Sequence, residues 1–457
     1  MLDWLKNSKD VICQETKANS IICYQEHLCN VLDFMKDFYP RMLDDKNSRL
    51  DELFPGICKE ISNQKDNIEK LIFCGLLVAI RNNIYYSFDL AKPPSRPTGD
   101  SNVEPEGAFQ ARDGFTESYK DNIALIRTRA KDSRLEIKEF SIGKRSKSII
   151  NLLYVSDIHN KDILDKISNR LNQIDIDSVT NMDDIAEAFQ GNRLFPSYQY
   201  LGSPDLATRR LYNGEFIIIV DRLSITLALP VNIAISTRMA IDNISNSSFT
   251  FILRLIVLIC LLLSTIFLGI FSSFMTYQAD SLSIIWLSII KQSNKGVALP
   301  VILGIFVVIS LFELIYFICF RQAKATISST VVLAAGLIIG NNLIASGIAS
   351  VFVVAFSAFC FICSFVVSSN VTVISSISII RLIFLISSLY LGIYGIIISS
   401  CILAYFMHNH KLFEVHYFYP FLPFDIGGIK NFFISSSSKK RKYRDKPLFV
   451  NNKRRRG

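Results

Sequence analysis

The sequence predicts an α/β region of two duplicated subdomains, followed by an α-helical polytopic membrane domain. Three observations predict it. Residues 249–410 are almost wholly apolar, with charges such as Asp280, Lys291, Lys295, Glu313, Arg321, Lys324 and Arg381 thinly scattered among them. A bilayer core of about 30 Å takes about 20 apolar residues per helical span, and soluble domains do not bury runs of this length. The preceding half alternates short apolar strands with helical periods, as a soluble region does. Within that half two blocks echo each other. NLLYVSDIHN at 151–160 resembles IICYQEHLCN at 21–30, and NGEFIIIVDRLSITLAL at 213–229 resembles CGLLVAIRNNIYYSFDL at 74–90. Gly214 then matches Gly75 and Leu229 matches Leu90. Chance likeness of two α/β patterns is the competing reading.

Composition agrees with the class. Hydrophobic residues are 50% and charged residues 19% of the 457, and the net charge of +9 owes much to the C-terminal end. There Lys439, Lys440, Arg441, Lys442, Arg444, Lys446, Lys453, Arg454, Arg455 and Arg456 oppose Asp445. Such a cluster can be a nucleic-acid tail. Placed after membrane segments it reads instead as a mark of the cytoplasmic side that touches lipid headgroups, at about 1 kcal/mol per basic residue, so no nucleic acid is expected. The ten cysteines show no metal spacing. Cys360 and Cys363 form a CxxC inside AFCFICSFVV, where a redox pair lacks an accessible thiolate and packing is the better reading. Cys13, Cys23, Cys29, Cys58 and Cys74 fit a reduced cytoplasmic domain. MLDWLKNSKD has no apolar h-region, so no cleaved signal peptide is expected.

In chain order, residues 1–95 form the first subdomain: a strand at 20–24, helices at 30–42 and 63–73, and a hairpin of strands 76–80 and 84–90 about Arg81-Asn82-Asn83. Residues 96–110 are the linker, within a Pro- and Gly-dense stretch. Residues 111–245 form the second subdomain. It has an amphipathic helix at 115–129 carrying Phe115, Ile123 and Ile126, strands at 135–140 and 149–155, helices at 161–173 and 182–189, and strands at 215–220 and 223–229.

The membrane domain, 249–410, opens with a span at 249–275. Residues 280–290 are too short to cross and read as a re-entrant helix. A second span covers 300–320. Residues 327–367 suffice for a two-span hairpin with Asn341-Asn342 near its turn. Residues 371–407 read as one long span with a break at Arg381. With both ends cytoplasmic the count is even, which gives four crossings, and 411–457 is the basic cytoplasmic tail.

Motifs are sparse. His27, His159, His408, His410 and His416 are not spaced as metal ligands, and there is no phosphate loop, nucleophile elbow or HExxH. Neither an enzyme, a cofactor nor a metal is expected. Glu313 is the sharpest membrane position, because a carboxylate facing lipid costs several kcal/mol. An ion pathway and a buried interhelical bond are equal readings, and Arg381 is a possible partner. Gly336 and Gly340 form a GxxxG before Asn341 and Asn342, which favours close packing or oligomer contact over an ion site.

Arg112-Asp113-Gly114-Phe115-Thr116-Glu117, followed by Asn122 through Arg127 to Arg129, resembles the GerA family of bacterial spore germinant receptor A subunits. The resemblance continues through Gly143-Lys144-Arg145-Ser146, Ile174-Asp175-Ile176-Asp177 and Phe195-Pro196-Ser197-Tyr198-Gln199-Tyr200. In the membrane half it rests on Phe312-Glu313, Gly340, Gly347 and Gly392-Ile393-Tyr394-Gly395, and then on Tyr417-Phe418-Tyr419-Pro420-Phe421-Leu422-Pro423. The chain departs from the family at Ile309 and Asn341, where acidic residues are usual. It departs again at Val351-Phe352, at Ser368-Ser369-Asn370 and at Asp221-Arg222-Leu223-Ser224.

The resemblance implies a subunit of a spore inner-membrane receptor that oligomerises into a nutrient-gated cation channel. Its implied partners are a transporter-like B subunit and a lipoprotein C subunit. Glu313, Asn341, Asn342 and Arg381 are then the pore or gate candidates, and Gly336, Gly340, Gly347, Gly392 and Gly395 the helix-packing positions. Arg112, Gly114, Phe115, Glu117, Asn122, Arg127, Arg129, Lys144 and Arg145 are the candidate subunit contacts. A secondary transporter and a non-conducting scaffold are the alternatives.

Overall fold

The structure, a computed structural model, describes residues 10–45, 48–90, 113–190, 195–237, 247–278, 283–321, 340–368 and 371–433. The linker, the basic tail, Arg112 and Gly336 lie outside the described residues.

Two five-stranded sheets build the first half. Strands β1 Val11–Thr16, β2 Ser20–Gln25, β3 Cys58–Ile61, β4 Leu77–Arg81 and β5 Ile84–Phe88 lie in the order β1-β2-β4-β5-β3. Strands β6 Leu135–Ile142, β7 Ser148–Val155, β8 Gln199–Leu201, β9 Phe216–Val220 and β10 Thr226–Leu229 lie in the order β6-β7-β9-β10-β8. The two orders are the same, strand for strand, and every pairing is antiparallel. The matched glycines serve the same purpose in both halves. Gly75 (φ 90) and Gly214 (φ 98) end the helices before β4 and β9, in a left-handed conformation that costs glycine little.

Helices of eight or more residues that pack on these sheets, among the described residues, are α1 Lys65–Ile72, α2 Tyr119–Arg129, α3 Lys161–Asn172 and α4 Pro204–Asn213, with shorter helical segments beside them. In the second sheet Phe216, Ile218 and Val220 pack under α3, while Ile217 and Ile219 pack under α2 and α4. Burial on both faces explains why β9 reads FIIIV rather than alternating with polar residues. The expected hairpin at 76–90 turns on Asn82 (φ 51) and Asn83 (φ 66), the two-residue geometry that matches strand twist. Helix α2 starts at Tyr119, not at 115, because Ser118 caps it by accepting the Asp121 N–H at 3.4 Å.

The expectation of wholly reduced N-terminal cysteines is corrected. Cys13 and Cys23 are directly opposed between β1 and β2, with Cα atoms 4.2 Å apart, and form a disulfide. The antiparallel register places the two sulfurs side by side.

Among the described residues of the membrane half three helices are long and apolar enough to cross a membrane: Phe249–Tyr277, Val301–Ile318 and Thr372–Asn409; Val351–Val367 is shorter. We label Phe249–Tyr277 α5, Ile284–Ser293 α6, Val301–Arg321 α7, Val351–Val367 α8 and Val371–Asn409 α9. Part of the stretch expected as a re-entrant helix, 280–290, lies outside the described residues, and α6 begins at Ile284. The turn expected near Asn341-Asn342 lies later, at 346–350, where Gly347 adopts φ 67.

Helix α9 is not one span broken at Arg381. A straight helix of its 39 residues would run about 58 Å, roughly twice a bilayer core. Yet Ser387 Oγ and Ser399 Oγ are 3.2 Å apart, where a straight helix would separate them by about 18 Å. The chain on either side of α9 also reaches one short helix, Ile233–Ser236. Ser368 Oγ donates to the Ser236 carbonyl at 3.3 Å, and the Ile233 N–H donates to the Tyr417 carbonyl at 2.8 Å. The chain reverses at Gly392 (φ 56, ψ −136), so 371–391 and 393–409 are antiparallel legs. Arg381 lies within the first leg. A charged side chain leaves helix geometry intact; a backbone open only to glycine does not.

Beyond α9 come the two-residue strands β11 Lys411–Leu412 and β12 Val415–His416, then helix α10 Ile426–Phe433.

Candidate functional site

The polar centre of the membrane half is the pair of Arg381 and Glu313. Arg381 on the first leg of α9 is fully buried and donates through Nη2 to Glu313 on α7 and, at 3.2 Å, to Ser378 Oγ. Its Nη1 donates to Ser364 Oγ on α8 at 3.4 Å, so one guanidinium ties three helices together. Arg381 Nε has no hydrogen-bond partner among the described residues. The two charges offset each other's desolvation, and removing either leaves the other stranded. Glu313 keeps 24% of its side chain exposed, whereas Arg381 keeps none.

The other pore and packing candidates do not join this pair. Asn341 and Asn342 are exposed at the start of the segment before Gly347. Gly340 faces Val354 on α8, where an added Cβ would sit 3.9 Å from Val354 Cγ1. Gly347 lies against Gly296, and the Ala298 N–H donates to the Gly347 carbonyl at 2.7 Å. Gly392 abuts the Tyr277 ring, and a Cβ on Gly395 would strike the Ser387 carbonyl. Helices α5 and α9 meet along hydroxyls, with Ser272 and Ser388 2.6 Å apart. A further cation, Arg254, is buried on α5 with its guanidinium 5.3 Å from the Phe432 ring.

The legs of α9 are strapped to the second sheet. Immediately after the second leg, His410 Nε2 and Ser197 Oγ lie 2.9 Å apart. Leu412, Phe413 and Val415 then enter the core between that sheet and α3. Phe413 sits 6.3 Å from Phe189 and lies under the Arg170 guanidinium at 4.7 Å; Lys166 pairs with Glu414 at 2.6 Å. Phe195 meets Phe418 edge to face at 4.9 Å. Burial pushes the His410 pKa down, so it is held neutral in this joint.

The profile of the Bacillus/Clostridium GerA spore germination protein family matches residues 1–447. The chain belongs to the GerA family. It is 30% identical over 445 residues to spore germination protein XA of Bacillus anthracis, covering 92% of this chain and 89% of that protein. It is 28% identical over 369 residues to stage V sporulation protein AF of Bacillus subtilis, with 79% and 73% covered. Among solved structures, the N-terminal domain of the A subunit of the Bacillus megaterium germinant receptor GerK3 is 22% identical, with a TM-score of 0.37. That comparison covers 50% of this chain and 91% of the domain.

Segments that carried the GerA resemblance touch one another. The Lys144 N–H donates to the Ile176 carbonyl and the Arg145 N–H to the Asp177 carbonyl, each at 2.9 Å. The 195–200 segment meets the 417–423 segment through Phe195 and Phe418. Most of the expected subunit contacts turn inward. Gly114 and Phe115 are buried, and the Phe115 N–H donates to the Gly202 carbonyl at 2.9 Å. Asn122 is buried and clamps Thr116, accepting its N–H and donating to its carbonyl at 2.7 Å each. Arg129 is partly buried between Asp113 and Asp205.

Arg127 is fully buried. It binds Asp10 of the first subdomain and the carbonyls of Asp132 (2.9 Å) and Leu135 (2.7 Å). These side chains hold the chain to itself. Glu117, Lys144 and Arg145 stay exposed, with Lys144 and Arg145 loosely paired to Asp175 and Asp177. Exposed pairs of this kind contribute about 0–1 kcal/mol and leave the side chains available to a partner.

Proposed function

We propose that this GerA-family chain is the A subunit of a spore germinant receptor. It sits in the spore inner membrane with its α/β region and basic tail in the cytoplasm. Copies of the chain assemble around a nutrient-gated cation path, alongside a transporter-like B subunit and a lipoprotein C subunit. The observation that carries this reading is the strap at 410–418, which roots the Arg381-bearing hairpin in the core of the second sheet. A partner's nutrient shifts such an assembly only by binding one of its states more tightly than the other. Glu313 is the acidic group offered outward from the bundle, and a carboxylate on a lipid face is costly, so a water path or a second copy covers it.

The same pair favours a second reading. Because Arg381 already neutralises Glu313, the chain can serve as a non-conducting scaffold. Native mass spectrometry and cation flux from liposomes separate the two. A discrete ring whose flux changes with Glu313→Gln, and is not restored by exchanging the charges in E313R/R381E, supports the path. Restoration by the exchange assigns Glu313 to packing, and a monomer without flux overturns the homomeric channel.

A further inference from the structure

Helix α8 meets the short helix Ile233–Ser236 through Ser368, just past its C-terminal end, so Val351 lies about 25 Å away along its axis. At that far end a pocket of 370 Å³ opens between the 293–297 and 344–351 turns. Sites that bury small organic ligands span about 300–1,000 Å³. Backbone fixes the walls. Gly296 (φ 81) and Gly347 (φ 67) are both left-handed, and the Ala298 N–H donates to the Gly347 carbonyl at 2.7 Å. A Cβ on Gly347 would sit 2.6 Å from the Gly296 carbonyl oxygen, so glycine is what lets the two turns approach. The Ile348 and Ala349 N–H groups both donate to the Leu343 carbonyl, at 3.1 and 3.2 Å.

The polar side chains that line this pocket include donors without acceptors. Lys295 is exposed and forms no ion pair among the described residues. Ser293 Oγ, at the end of α6, is buried with no hydrogen-bond partner among them. Ser350 is 4% exposed; its Oγ accepts the Val353 N–H at 3.4 Å, and its own proton has no acceptor among the described residues. Val351 opens α8, whose first-turn N–H groups lack intrahelical acceptors and carry the positive end of the helix dipole. No Asp or Glu lines the pocket.

We propose that this pocket binds a small oxyanion, a carboxylate or a phosphate. An oxyanion accepts from every one of these donors at once and carries the charge that Lys295 and the helix end favour. A cation would meet both with the wrong sign and find no carboxylate to hold it. An apolar ligand would leave the Ser293 and Ser350 hydroxyls buried and unsatisfied. Occupancy ties the 293–297 turn to α8, the helix whose Ser364 accepts from Arg381 at 3.4 Å, so the site reaches the polar centre through one element.

The test uses the full chain in neutral maltoside micelles at constant ionic strength, with acetate, inorganic phosphate or phosphatidylglycerol added. Hydrogen exchange is read across 293–298 and 350–354. A bound oxyanion should slow exchange in both segments saturably and leave the two sheets unchanged. Lys295→Gln should weaken that binding at least about tenfold, while Lys295→Arg keeps it. Ser293→Ala removes a hydroxyl that has no partner among the described residues, so it should spare the fold and weaken binding about threefold. Protection by acetate or inorganic phosphate assigns the pocket to a solute, and protection by phosphatidylglycerol alone assigns it to a lipid phosphate. Unchanged exchange with all three overturns the proposal, as does protection that Lys295→Gln leaves intact.

Discussion

Arg127 of the second subdomain holds Asp10 of the first through two hydrogen bonds, Nε to Oδ2 at 2.6 Å and Nη2 to Oδ1 at 2.7 Å, with both side chains buried. Gln25 supports the carboxylate at 3.1 Å, and the guanidinium lies 5.0 Å from the Phe73 ring. The two repeats are therefore joined by a desolvated bidentate pair.

Breaking that pair from one side strands a buried charge, at a cost of about 3–5 kcal/mol. Asp10→Ala should lower the thermal midpoint of the detergent-solubilised chain and speed hydrogen exchange in β1 and α2. Asp10→Leu with Arg127→Met removes both charges and should recover most of the loss. A single mutant with wild-type stability would show that the repeats are joined elsewhere.

The reversal at Gly392 is checked by cross-linking. Cysteines placed at 387 and 399 should form an intramolecular disulfide under mild oxidation, because the native hydroxyls are 3.2 Å apart. A continuous helix would hold them about 18 Å apart and give none. Gly392→Ala should reduce the yield, since φ 56 costs a residue with a Cβ about 1–2 kcal/mol.

Phe413→Ala should cost about 3–5 kcal/mol at the strap, as for other buried aromatics. Exchange should rise across 410–418 and in α3 while the first sheet keeps its protection. A uniform rise in both sheets would place Phe413 in global stability instead of in the joint.

Acidification should loosen the same joint. The folded pKa of His410 lies below its ordinary value of 6.5 because the ring is buried. Above about 6.5 both states are neutral and stability is full. As pH falls from there toward the depressed folded value, the unfolded state takes up the proton first and stability is lost. Exchange across 410–418 should therefore accelerate below about pH 6.5, and His410→Gln should flatten that dependence.

The sequence made regular burial legible and left tertiary meetings hidden. Strands β2, β4, β5, β7 and β9 are apolar enough to announce themselves, and the two Asn residues at 82–83 announced their turn. Strands β1, β3 and β8 are edge strands, VICQET, CKEI and QYL, whose polar positions erase the alternation that marks a strand. Glu313 and Arg381 stood out as costly charges, and their pairing followed from that cost. Gly392 read as a packing position and not as a turn, because only the backbone angle makes it a reversal. Asp10 and Phe413 gave none at all, as each acquires its role from a partner far away in the chain.

The hairpin of α9 has one further mechanical consequence. The chain on either side of it contacts the short helix Ile233–Ser236, through Ser368 at the end of α8 and Tyr417 beyond the second leg. Were that helix to tilt, both contacts would move together, and the tip at Gly392 would swing as a crank swings its handle. A displacement of the α/β region that moved both contacts together would carry the tip farther than the base.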